Sequence, residues 1–202
     1  MKPALIIIIF SLILLTACSA NNTPTTQYYL LNSPTTLTPI TQQNVEKNSA
    51  FTPEKQAISI NLLPLPDYLQ QANLVLQLAN HQLHYSHTHM WAEPLNKAIA
   101  KALANDLNHS NNSALFSVNS AFNTPETADI VLKITSFQAT HQSQVLLIGS
   151  YRLQTNNLEQ GSKTQHFNFA VTLTEDGYPH AVEQMRAAIT LLAQQLSASI
   201  NR

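Results

Sequence analysis

The chain has 202 residues, of which 44% are hydrophobic and only 10% charged, with 10 Lys and Arg against 11 Asp and Glu. That length suits one domain; the charge balance excludes the basic footprint of a nucleic-acid binder, and the apolar fraction excludes wholesale disorder. One cysteine and three glycines exclude an intramolecular disulfide framework, a cysteine-rich zinc site and a glycine-built phosphate loop.

Polarity comes instead from 19 Asn and 17 Gln. The N-terminus departs from that pattern. Lys2 precedes an apolar run from Ala4 to Leu15, broken only by Ser11. A run of this length fits the core of a signal peptide and falls short of the ~20 apolar residues of a spanning helix. It ends in Leu15-Thr16-Ala17-Cys18, followed by polar Ser19, Ala20, Asn21 and Asn22. The tetrad resembles the bacterial lipobox. By that resemblance residues 1–17 are a signal peptide cut between Ala17 and Cys18, and Cys18 becomes an acylated first residue. One acyl chain holds a protein only marginally, at ~0.8 kcal/mol per buried CH₂; the two or three chains of a lipobox cysteine make retention lasting. Ser19, where an Asp would favour the inner membrane, implies the periplasmic face of the outer membrane in a Gram-negative bacterium.

Residues 18–27 read as the lipidated cysteine and a flexible polar tether, which places the domain close to its membrane. A domain from 28 to 202 follows. Tyr28 to Leu31 predicts a first short strand, and Asn32 to Lys55, rich in Thr, Pro, Gln and Asn, predicts a long mobile loop (32–55). Ala57 to Leu63 alternates apolar and polar residues and predicts a strand closed by Pro64-Leu65-Pro66. Asp67-Tyr68-Leu69 suits one helical turn. Leu74–Leu78 and Gln82–Tyr85 predict a hairpin around Ala79-Asn80-His81.

From Trp91 the period changes. Pro94 suits the first position of a helix, and Leu95, Ile99, Leu103 and Leu107 recur at i, i+4 spacing as one apolar stripe. Leu115–Val118, Ala128–Phe137, Gln144–Leu153 and Gln165–Leu173 read as strands, the second and third joined near His141. Glu175-Asp176-Gly177 turns the chain into a last helix opened by Pro179, with Val182, Met185, Ile189, Leu192, Leu196 and Ile200 on one face. The expected architecture is a single α+β domain, a mixed β-sheet packed by two main amphipathic helices.

Two segments carry a family resemblance. Leu65-Pro66-Asp67-Tyr68-Leu69 after a strand, and Trp91-Ala92-Glu93-Pro94-Leu95 opening a helix, resemble the signature of the ABC-type transport auxiliary lipoproteins, the PqiC/YmbA-like family of membrane-integrity-associated transporter subunits. The early Tyr-Tyr-Leu strand, a long strand through Ser136-Phe137 and an Ala/Leu-rich final helix agree with it. Met90 stands where the family pattern leads one to expect a basic residue. The resemblance implies an anticodon-binding-like fold and a non-catalytic accessory role. The implied partners are a periplasmic MCE-domain protein and an inner-membrane permease of a lipid-transport system, with a homo-oligomer compatible with that role. Asp67, Tyr68, Leu69, Trp91, Glu93 and Pro94 are the candidate partner-contact residues.

Their structural readings are equally concrete. Trp91 suits a core anchor, Glu93 a carboxylate beside the positive end of a helix, Asp67 a cap on the short turn, and Pro64 and Pro66 an edge or corner. A competing signal is His81, His84, His87 and His89, four of the eight histidines. Imidazole suits zinc, copper or nickel, and on a regular strand His87 and His89 would share a face. His81 and His84 would fall on opposite faces with a turn between, which argues for a solvated polar loop. No Gly-x-Ser-x-Gly elbow, His-Glu-x-x-His or phosphate loop is present, so no catalytic residues are expected, and no cofactor beyond the lipid on Cys18. The alternative to the transport role is a stand-alone envelope lipoprotein binding peptidoglycan, glycan or metal.

Overall fold

The computed structural model describes residues 24–32, 56–111, 114–118, 128–155 and 163–200. The apolar N-terminal run, Cys18 and nearly all of the Asn32–Lys55 segment lie outside the described residues. Among the described residues, eight strands form one mixed sheet that two helices cover on one face. In chain order they are β1 (Gln27–Tyr29), β2 (Gln56–Leu62), a 3₁₀ turn (Asp67–Leu69), β3 (Asn73–Ala79), β4 (Gln82–Trp91), α1 (Leu95–Ser110), β5 (Ala114–Val118), β6 (Ala128–Thr140), β7 (Gln144–Thr155), β8 (Thr164–Thr172) and α2 (Tyr178–Ile200). The α+β architecture expected from the alternation of periods is therefore present. Its bounds shift: the first strand ends at Tyr29, β4 runs past Tyr85 to Trp91 through the histidine stretch expected to be a polar loop, α1 runs on to Ser110, and Pro94 sits just before that helix rather than inside it.

β6 is the hub. β7 pairs antiparallel along its whole length, while two strands divide its other edge. β2 runs parallel to residues 128–132, and β3 runs parallel to Ala139 and Thr140. β5 extends the sheet beyond β2; β4 and then β1 extend it beyond β3. A register shift between Ile134 and Ser136 adds one residue to β6. Before it, Ile130, Leu132 and Ile134 point into the core; after it, Phe137 and Ala139 do. The extra residue reverses the parity of the strand, as a bulge must.

Both helices bury their stripes against this face. Ile99, Leu103 and Leu107 of α1 and Ile189, Leu192 and Leu196 of α2 are wholly buried, with Leu147 and Tyr151 of β7 beneath them. Gly149, opposite Ile134 in β6 and Phe167 in β8, leaves the space into which the Phe167 ring folds. Between the helices, Arg186 forks onto Asp106, and the Thr190 hydroxyl bridges the same carboxylate at 3.0 Å. Among the described residues no helix is long and apolar enough to cross a membrane.

Candidate docking surface at the junction of the two motif segments

The first segment, 65–69, exists because β2 and β3 share one edge of β6. The chain must pass from the first pairing site to the second over the unpaired stretch around the bulge. Leu63 N–H still reaches the Leu132 carbonyl at 2.9 Å. Pro64 and Pro66, which lack amide protons, then release the chain from the ladder. The turn closes with Leu69 N–H donating to Pro66 O at 2.8 Å, while Leu65 and Leu69 point into the core. Tyr68 spans the gap: its hydroxyl lies 3.3 Å from the Thr135 carbonyl, at the bulge, and 3.0 Å from Gln138 Oε1. Burial raises the Tyr68 pKa above its ordinary 10.0. Asp67 is the first residue of the turn rather than its cap. Its carboxylate accepts from Gln70 Nε2 at 3.1 Å, and the same amide donates to Leu65 O at 2.7 Å.

The second segment, 91–95, is tied through its backbone to the residue before β3 and to β1. Trp91 N–H donates to Ala72 O at 2.7 Å, and Ala92 N–H to Tyr29 O at 2.8 Å. The Trp91 side chain is 6% exposed and belongs to the core. Glu93 does not sit over the amides of α1; it reaches Lys101 Nζ at 2.6 Å, so the carboxylate bridges to a later turn of the helix. The Pro94 carbonyl accepts from Lys97 and Ala98 and starts the helical ladder. Where the segments face one another a cleft of about 290 Å³ opens between Leu62, Pro64, Leu69, Gln70, Pro94 and Leu95. The structure thus joins Leu65–Leu69 and Trp91–Leu95 in one surface. Leu69 and Trp91 support it from inside; Asp67 and Pro94 face outward, and Glu93 is partly exposed.

The histidines do not converge. His81 occupies the β3–β4 turn, and His84 and His87 are exposed on β4. The pairing of β3 with β4 passes from Asn73–Met90 directly to Val75–Tyr85, so residues 86–89 fall outside the regular ladder and strict alternation lapses there. Ser86 Oγ accepts from the amides of Thr88 and His89 at 3.3 and 3.0 Å. The His89 ring lies between two tyrosines, 5.8 Å from Tyr29 and 3.9 Å from Tyr178. His87 and His89 are therefore not a same-face pair of ligands. Among the described residues, no three His, Cys, Asp or Glu side chains come together around a metal-sized space.

Three polar or aromatic ties escape sequence reasoning: the Tyr29–His89–Tyr178 stack, the Asp106–Arg186–Thr190 cluster, and Tyr151 Oη bonded to Gln165 Oε1 at 2.8 Å and Ser199 Oγ at 2.7 Å. Each joins residues from distant parts of the chain, and only Arg186–Thr190, four apart on α2, left any local trace. A second, larger cleft of about 650 Å³ lies between the β3–β4 turn and the start of α2. Leu76, Leu78, Ala139 and Leu173 line it, with Glu175 and Asp176 at its rim.

These features define a small single-sheet α+β domain whose polar clusters tie one element to another. The chain belongs to the family described as ABC-type transport auxiliary lipoprotein component, which it matches over residues 36–197. Solved structures share the fold. One, a crystal structure of an uncharacterized protein, is 17% identical with a TM-score of 0.69, over 87% of this chain and 99% of the other. Another, a Xanthomonas campestris protein carrying the family label DUF330, is 12% identical with a TM-score of 0.59, over 71% and 81%. Nothing among the curated proteins matches the chain.

Proposed function

We propose that the protein is a non-catalytic docking subunit of an MCE/ABC-type lipid-transport system, acylated on Cys18 and held on the periplasmic face of the outer membrane of a Gram-negative bacterium. Membership of the transport auxiliary lipoprotein family carries this reading. The Leu-Thr-Ala-Cys tetrad behind an apolar run supports the anchor. The junction of 65–69 with 91–95 supports a docking role, because it is an outward surface held rigid from within by Leu69 and Trp91. The described polar clusters are consumed in joining elements, which favours binding over catalysis. The partners are the periplasmic MCE-domain protein and the permease of the same system, and no cofactor is required beyond the lipid.

The decisive experiment is recovery of partners from detergent-solubilised envelopes, with wild-type protein and a Pro94→Ala/Asp67→Lys variant. Wild type is expected to bring down an MCE-domain protein and the variant to lose it while keeping its thermal transition. Absence of any MCE-domain partner, together with an intact lipid barrier in a deletion strain, would overturn the reading. Cys18→Ser is a separate test of the anchor: the variant should lose palmitate labelling and leave the membrane fraction.

A further inference from the structure

The path of β1 orients the domain. It pairs parallel to β4, with Gln27 opposite His89 and Tyr29 opposite Trp91. β4 leaves the β3–β4 turn at Gln82, so the chain preceding Gln27 points back toward that turn. At about 3.3 Å per residue the turn lies ~15–20 Å from Gln27 along the strands. Cys18 is nine residues from Gln27, a reach of at most ~30 Å when fully extended and ~15–18 Å as a flexible coil. Within that reach, a bilayer holding Cys18 can meet the β3–β4 turn.

Two further segments share this end. His141 N–H donates to Gln77 O at 2.8 Å, which places the β6–β7 turn beside the hairpin, and Leu173 N–H donates to Ser143 O at 2.7 Å, which brings the β8–α2 loop alongside. Leu78, at a register shift in β3, is 48% exposed, and Leu83 across the hairpin is 37% exposed. Behind them opens the cleft of about 650 Å³, lined by polar as well as apolar side chains. No Lys or Arg occurs in residues 73–91, 136–151 or 165–185. Glu175 and Asp176 are exposed there, and neither makes an ion pair with a described residue.

We propose that this end of the domain lies on the phospholipid bilayer that holds the chain's own anchor, with Leu78 and Leu83 entering its interfacial layer. The inference rests on the reading of Cys18 as the acylated residue. Length of tether and strand direction bring the surface there; exposed leucines give it apolar contact. With carboxylates and no Lys or Arg at this end, the contact suits zwitterionic headgroups and is weakened by anionic ones.

The test uses the full mature lipoprotein in phosphatidylcholine vesicles containing nitroxide-headgroup lipid. Because Cys18 is the sole native cysteine and is blocked by lipid, Leu78→Cys, Leu83→Cys, Gln142→Cys and, at the opposite end, Lys163→Cys each offer one thiol for a bimane reporter. Several-fold stronger quenching at 78, 83 and 142 than at 163 is expected, reduced when phosphatidylglycerol is added. Leu78→Asp/Leu83→Asp should bring quenching at 142 down to the level at 163, whereas proximity through the tether alone would leave it unchanged and overturn the proposal. Equal quenching at all positions in protein that floats with the vesicles overturns the surface and leaves the anchor standing. A blue shift at 78 and 83 without quenching means a protein partner or second copy covers the tip, and also overturns it. Failure to float overturns the anchor and the surface together.

Discussion

The imidazole of His89 lies face to face with the ring of Tyr178, their centroids 3.9 Å apart and their planes inclined by 15°. With Tyr29 on the other side, this stack ties β1, only three residues long, to the first turn of α2. Offset stacking of this kind is worth ~0.5–1.5 kcal/mol beyond area burial. His89→Ala should therefore cost about 1 kcal/mol and, more specifically, free β1. Hydrogen exchange at the amides of residues 27–29 is expected to accelerate well beyond the global change. His89→Phe keeps the stack and should restore much of that protection.

Gly149 tolerates no side chain. A methyl placed there would meet the Lys133 carbonyl oxygen and lie 2.6 Å from Phe167 Cζ. Either the β6–β7 ladder or the Phe167 ring must move, and overpacking of this sort costs ~1–3 kcal/mol. Gly149→Ala is expected to lower the urea midpoint accordingly, and Gly149→Ala/Phe167→Leu to lose less than the sum of the two single changes.

Arg186 and Asp106 join α1 to α2 with both side chains partly buried, 29% and 16% exposed. A fully exposed pair would contribute almost nothing and a fully buried one would be costly to break; Arg186→Ala should fall between, at about 1–3 kcal/mol. Arg186→Lys keeps the charge but loses the two-pronged fork and one of its bonds, so it should recover less than half the loss. Chemical denaturation of the three proteins at fixed salt measures this ordering.

Tyr68 makes stability depend on alkaline pH. Burial holds its folded pKa above the unfolded value of 10.0. Below pH 10 both states keep the proton and the hydroxyl's bonds to Thr135 O and Gln138 are intact. As pH rises from 10 through the folded pKa, the unfolded chain releases its proton first, and that stability is lost. Tyr68→Phe should be less stable at neutral pH by about 1 kcal/mol, the worth of one hydrogen bond, and should show a flatter decline above pH 10.

Local pattern was enough for most elements. Alternation in β2 and β8, the i, i+4 stripes of α1 and α2, and the Pro-bounded turn at 67–69 each follow from period and propensity, which act over a few residues. The family motifs were legible for the same reason, being contiguous in the chain. Three things were not. The bulge at Thr135, a register shift against β7 that falls between the stretches of β6 paired with β2 and with β3, has no local sequence mark. The roles of Glu93 and Asp67 went to Lys101 and Gln70 rather than to helix amides, because a flexible carboxylate takes whichever donor the packed backbone brings within reach. The histidine cluster, close in sequence, was dispersed when residues 86–89 of β4 left the pairing with β3 and His89 stacked with Tyr29 and Tyr178. Low charge and a lone cysteine could be read from composition; the direction in which the chain enters the sheet at β1 could not, since that depends on the parallel pairing of β1 with β4, a contact that only the folded sheet creates.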